Sequence, residues 1–270
     1  MAFPCLSDCH THTLCSPDGN DSAAMMCQAA ERAGLHAIAI TDHCECNDYF
    51  KDGYHQSVPR SYLEARQAAV RCESRLRIYA GIELGQPMQS LSVAQSILSG
   101  ADYDFVLGSV HNIRGKEDFY FLDYRQENIY ALLDSYLDEL LEMVEWGGFD
   151  SLAHLTYPLR YIVGEAGIPV DLGRYDYKVD KILKRLAEKE KALEVNTSGL
   201  RQKIGMTLPS LHLVRRFREH GGKYVTIGSD SHRWKDVGAG IEAGLQVIQE
   251  AGFTHYTVYE KRSPKLISLT

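Results

Sequence analysis

Seven times along this 270-residue chain an apolar stretch ends at a polar side chain and gives way to a helical pattern. The strand-like stretches are Asp8–Thr13, His36–His43, Arg77–Glu83, Phe105–His111, Ser151–His154, Ala192–Gly199 and Lys223–His232, with a short final one at His255–Tyr259. Between them, apolar spacing and capping residues predict helices over Ser22–Ala33, Ser61–Leu76, Ser90–Ser99, Gln126–Trp146, Tyr177–Lys189, Pro209–His220 and Val237–Ala251. Strands that alternate with helices in this way lie parallel, because each helix carries the chain back across the sheet. The strands read as apolar runs, as expected when both faces are covered. Seven or eight such units in about 250 residues fit a barrel of the TIM type, with an open doubly wound sheet as the alternative. No Pro/Gly-rich linker or break in composition divides the chain, so residues 1–270 read as a single domain.

The informative residues sit where the apolar runs stop. In a strand, residues two apart share a face, so His10 and His12 present paired imidazoles. In chain order the strand ends carry His10 and His12, His43, Glu83, His111, His154, Asn196, and Asp230 with His232; Asp18 in the first loop adds a carboxylate. In a parallel barrel these ends meet at one mouth, the face where catalytic groups of such folds lie. The remaining histidines, His36, His55, His212, His220 and His255, sit elsewhere and read as structural or surface residues. Nine His, Asp and Glu side chains, at roughly three or four per ion, imply two or three divalent transition metals, with Glu83 as the bridging carboxylate. Asp42 fits the orienting of a ligand better than ligation itself. Mixed imidazole and carboxylate donors suit Zn, Mn or Fe.

Closely spaced metals polarise oxyanion substrates and activate water near neutral pH, so phosphate-ester and C–N hydrolysis both fit. The formal net charge of -7 speaks against a nucleic-acid-binding face and requires local cations for an anionic substrate. Arg160, just past His154, is the best-placed cation for phosphate; Arg201, Lys203 and Arg233 come next. No apolar run reaches the roughly 18 residues of a membrane span, and the first residues lack a secretory pattern. The seven cysteines follow no disulfide or zinc-ribbon spacing and read as thiols of a reducing cytosol, with Cys44 or Cys46 as a second, metal-touching reading. The expectation is a cytoplasmic protein acting on a small-molecule phosphate ester, its oligomeric state left open. Two polar segments, 44–59 and 112–124, are too long for plain connections and read as lid or substrate loops.

Six ordered motifs carry a family resemblance. His10-x-His12, Thr41-Asp42-His43, Gly81-Ile-Glu83, Gly108-Ser-Val-His111, Ala153-His154 and Gly228-Ser-Asp-Ser-His232 together resemble the polymerase and histidinol phosphatase (PHP) superfamily, from residue 8 to about 235. The chain length, Ser109-Val110-His111 and the segment from His154 to Arg160 look most like its histidinol-phosphate phosphatases. The resemblance implies a distorted (β/α)7 barrel with a trinuclear metal site at the carboxyl-terminal mouth of the strands. It implies a first ion on His10, His12, Glu83 and Asp230, a second on Glu83, His111 and His154, and a third on Asp18, His43 and His232. Several relatives have histidine where this chain has Asp18. The implied reaction is phosphomonoester hydrolysis, with L-histidinol phosphate of histidine biosynthesis as the substrate and a hydroxide between the first two ions as the nucleophile. Arg160 would stabilise the equatorial oxygens, and Asp230 or His232 would protonate the leaving alkoxide. Rival readings are another small phosphate ester or a nucleotide, an amidohydrolase-type C–N hydrolase and a non-catalytic metal-binding module. Amidohydrolases place a bridging lysine on the fourth strand, where this chain has His111.

Overall fold

A computed structural model describes residues 3–72 and 76–270. The chain forms strands β1 (Ser7–Thr11), β2 (Ala37–Ile40), β3 (His43–Glu45), β4 (Arg77–Gly85), β5 (Phe105–Ser109), β6 (Ser151–Leu152), β7 (Ala192–Asn196) and β8 (Val225–Gly228). All pair in parallel in the order β1-β2-β4-β5-β6-β7-β8, with β3 also on β4. β2 and β3 are two parts of one strand, interrupted at Thr41-Asp42, so seven strands line the barrel. Asp230 N–H donates to His10 O, and His12 N–H to Ser231 O, both at 2.8 Å. These bonds bring the end of β8 onto β1 and nearly close the sheet into the distorted barrel expected.

Helices α1 (Ala23–Arg32), α2 (Tyr54–Cys72), α3 (Leu91–Gly100), α4 (Ile129–Trp146), α5 (Asp176–Glu188), α6 (Leu211–Glu219) and α7 (Ile241–Glu250) follow the strands in turn. Ser22 caps α1 through a bond from Met25 N–H, and Gly147, in the left-handed conformation at φ 73°, ends α4. On α4, Leu133, Leu137, Leu140 and Val144 face inward at helical spacing and are buried.

Two expectations need correction. Segment 44–59 is no irregular loop: β3 occupies its start, and α2 begins at Tyr54 and runs through Pro59. Tyr54, Val58, Ser61, Ala65 and Ala68 form one buried face, and that burial outweighs the single backbone bond that proline forfeits in the second turn. Of the helix expected over 61–76, residues 73–75 lie outside those described. The final strand is not alone: β9 (His255–Glu260) pairs antiparallel with β10 (Ser263–Ser268), whose exposed residues and Pro264 hide an edge strand. This hairpin covers the amino-terminal end of the barrel. Tyr256 Oη lies 2.9 Å from Ser7 Oγ, Tyr259 stacks on Phe105, and Arg262 Nε donates to Asp150 at 2.5 Å. No helix among the described residues is long and apolar enough to cross a membrane.

Candidate metal centre

At the opposite end of the barrel, the strands deliver their polar residues to one point. Glu83, fully buried near the end of β4, lies at its middle. Its Oε1 is 3.0 Å from His111 Nε2 and 2.8 Å from His154 Nε2. Its Oε2 is 3.2 Å from His10 Nε2, 2.9 Å from His43 Nδ1 and 3.5 Å from His12 Nε2. Asp230 Oδ1 faces the β1 imidazoles from the other side, 3.5 Å from His12 Nε2 and 3.8 Å from His10 Nε2. Asp18 Oδ2 is 3.0 Å from His232 Nε2, and its Oδ1 is 3.7 Å from His43 Nε2. The His12 ring stacks between His43 and His232, at centroid distances of 4.2 and 4.1 Å. All nine expected ligand residues therefore converge.

Outer contacts fix which nitrogen of the His10, His111 and His12 rings faces inward. His10 Nδ1 lies 2.6 Å from Glu194 Oε1, and His111 Nδ1 lies 2.9 Å from Glu45 Oε1. A carboxylate only accepts, so both Nδ1 atoms carry the proton. Ser16 Oγ donates to Asp42 at 2.8 Å and so accepts from His12 Nδ1 at 3.1 Å. Asp42 thus orients a ligand through Ser16, while also taking bonds from Thr13 and Ser61.

With those protons placed, three Nε2 atoms point toward the Glu83 and Asp230 carboxylates. His12 Nε2 is buried and has no hydrogen-bond partner. Burial and the neighbouring His232 and His43 push the His12 pKa well below its ordinary value. Burial would push His10 down as well, but the Glu194, Glu83 and Asp230 carboxylates hold it well above. Burial also opposes the ionised form of Glu83, yet His111, His10 and His43 keep its carboxyl well below the usual range. Carboxylates facing imidazole nitrogens, with His12 Nε2, His43 Nδ1 and His232 Nε2 all lacking a hydrogen-bond partner, are a donor set that divalent cations satisfy. Three groups bring ligand atoms within 4.8 Å of one another: His10, His12 and Glu83; His43, Glu83 and His111; and His12, His43 and His232. No cysteine belongs to these groups, and no disulfide forms among the described cysteines.

A model of the PHP domain matches residues 8–198. This chain belongs to the PHP family. The "Probable histidinol-phosphatase" of Clostridium acetobutylicum is 27% identical over 259 residues, covering 96% of this chain and 98% of that protein. The histidinol-phosphatase of Lactococcus lactis is 28% identical, with 91% of each chain covered. The crystal structure of the Lactococcus lactis histidinol phosphate phosphatase with Zn, L-histidinol and phosphate superposes with a TM-score of 0.78. It is 25% identical and covers 96% of this chain and 98% of that one.

Of the four expected phosphate-binding cations, only Arg160 joins the centre of this PHP domain. It begins a π-helical turn, Arg160–Glu165, and its Nη2 donates to Asp230 Oδ2 at 2.8 Å and to Ser198 Oγ at 2.7 Å. Its Nε is buried without a partner, and the guanidinium lies over the Tyr157 ring. Arg201 instead donates to the backbone oxygens of Ser229 and Asp230, fixing the loop that carries two ligands. Lys203 is exposed and paired with Glu165, and Arg233 is exposed.

The backbone is shaped to the site. His154 and Asp230 have φ of 22° and 54°, a region non-glycine residues seldom occupy. At Gly228 a Cβ would collide with His10 and come within 2.8 Å of Glu194 Oε1, so only glycine lets β8 and β1 approach there. Glu45 and Glu194 were not among the expected residues. For Glu194 the signal was a glutamate inside an apolar strand, a residue that is buried only when paired; Glu45, at the end of the polar stretch His43–Glu45, carried no such signal.

Proposed function

We propose that this PHP domain is a metal-dependent phosphomonoesterase that hydrolyses L-histidinol phosphate to L-histidinol and phosphate. The observation that carries the reading is Glu83, whose two oxygens each face at least two imidazoles, with the Arg160 guanidinium beside Asp230. The Lactococcus lactis enzyme, solved with Zn, L-histidinol and phosphate, supports the substrate.

His10, His12, Glu83 and Asp230 would hold one divalent ion, Glu83, His111 and His154 a second, and Asp18, His43 and His232 a third, with Zn, Mn or Fe as the fitting metals. Such ions supply Lewis acidity toward phosphate oxygens and make water a nucleophile at neutral pH. Arg160 binds the phosphoryl group, its unpartnered Nε free to donate. Asp230 is unsuited to protonate the leaving alkoxide. Burial works against its charge, but His10 and Arg160 hold its carboxyl well below the usual range, and Asn196, Ser198 and Arg160 all donate to Oδ2. That leaves His232, partly exposed at the rim, for the proton whenever it is not held by the third ion. We read residues 1–270 as one catalytic domain of a cytoplasmic enzyme.

The test is phosphate release from L-histidinol phosphate beside nucleotides and sugar phosphates, with metal content measured on the same sample. The expected result is a kcat/KM above about 10⁴ M⁻¹s⁻¹ for L-histidinol phosphate alone. Weak, even turnover across the panel would replace the substrate.

A further inference from the structure

The segment 112–124 contributes a carboxylate and an aromatic wall that the phosphate chemistry leaves unused. Tyr157 packs against the two imidazoles on Glu83 Oε1, with ring centroids 4.8 Å from His111 and 5.0 Å from His154. Its hydroxyl accepts from Tyr161 at 3.1 Å and donates to Asp118 Oδ1 at 3.1 Å. Tyr161 meets the exposed Tyr120 edge to face at 5.8 Å. A bond from Phe119 N–H to His111 O, 3.0 Å, anchors the segment to the metal centre.

Asp118 is half-buried, and among the described residues no lysine or arginine bonds its carboxylate. Its two bonds, from Tyr157 and from Tyr120 N–H at 2.7 Å, both fall on Oδ1, which leaves Oδ2 open. Burial pushes its carboxyl up, with His111 as the main opposing influence. Charges near it include His111 and the carboxylate of Glu45, and Arg160 lies over the Tyr157 ring. A carboxylate so placed lacks a cation, and the edge-to-face rings of Tyr161 and Tyr120 beside it offer π surface to one.

We propose that Asp118, with the rings of Tyr161 and Tyr120, receives the positively charged end of the substrate and selects phosphate esters of amine-bearing alcohols. The site then has two poles one tyrosine length apart: Arg160 and the metal ligands for the phosphate, Asp118 for the cation. This deepens the proposed phosphatase function and rests on it.

The experiment compares wild type with D118N, because asparagine keeps an acceptor for Tyr120 N–H and removes only the charge. Both are assayed on L-histidinol phosphate, O-phosphoethanolamine and uncharged-tail p-nitrophenyl phosphate, with bound metal measured on each. The expected result is that the ratio of kcat/KM for the amine ester over that for p-nitrophenyl phosphate falls about tenfold or more, through KM, at equal metal content. An unchanged ratio, or loss of metal in D118N, overturns the proposal. If wild type prefers O-phosphoethanolamine and D118N abolishes that preference, Asp118 keeps its role and L-histidinol phosphate is replaced as substrate. If wild type shows no preference for any amine ester, both readings fall.

Discussion

Glu194 holds His10 by a 2.6 Å contact to Nδ1, and its other oxygen accepts the backbone N–H of His154 at 2.8 Å. One carboxylate on β7 thus sets the ring of a β1 histidine and the strained backbone of a histidine after β6. Asn196 donates to the same Oε2. In E194Q the side-chain amide would point an N–H at one of these donors, whichever way it turns. We expect metal affinity to fall about 10–100-fold, measured by chelator competition, with the fold intact by circular dichroism. Unchanged metal affinity would reduce Glu194 to a core ion pair.

Which parts of this site could be read in advance follows from where each residue sits. His10, His43, Glu83, His111, His154 and Asp230 end apolar runs, and parallel strands have no choice but to bring such ends together. Glu45 and Glu194 lie within strands, and their role depends on which neighbour the register supplies: β3 sets His43 opposite Glu83, and Glu45 follows two residues on, on the same face. The first turns of α2 were hidden because Pro59 is a local break signal, whereas the buried face from Tyr54 to Ala68 is a longer-range one that prevails. The turn at Arg160–Glu165 has no sequence periodicity to reveal it, since its bonds run from Ala166 N–H to Tyr161 O. β10 escaped because an exposed edge strand carries few apolar residues.

The hairpin at the amino-terminal end should affect stability without touching the metals. Arg262 donates to Asp150 Oδ2, which also accepts Val106 N–H at 2.9 Å, and Arg262 N–H bonds Asp104 O at 2.9 Å. Asp150 is almost fully buried, while Arg262 is one-third exposed, so the pair is partly screened. R262A is expected to cost about 1–3 kcal/mol in urea unfolding and to leave metal content at the wild-type level. A loss of metal would mean that the two ends of the barrel are coupled.

Metal removal should have the opposite signature. Glu83 and Asp230 are buried carboxylates that converge on the centre, where Arg160 pairs with Asp230 and, among the described residues, imidazoles face Glu83. Ions at about 100 times their dissociation constant contribute about 2.7 kcal/mol to the folded state. Dialysis against a chelator is therefore expected to lower Tm by about 5 °C or more, restored by added Zn or Mn. An unchanged Tm would show that the centre is held by its hydrogen bonds alone.

Arg160 separates a substrate role from a structural one. It donates to Asp230 and Ser198, so its loss leaves Asp230 Oδ2 with Asn196 and Ser198 as donors. Were it only a support for Asp230, R160A would lose metal. As a phosphate ligand, R160A is expected to keep its metal, lose about 10²-fold or more in kcat/KM, equivalent to about 3 kcal/mol, and weaken inhibition by inorganic phosphate. R160K restores the charge but not the planar fork, which here spans Asp230, Ser198 and the free Nε, so it is expected to recover little of the loss. Full recovery in R160K would show that charge alone suffices. Unchanged kinetics in R160A would leave the phosphate without a protein cation.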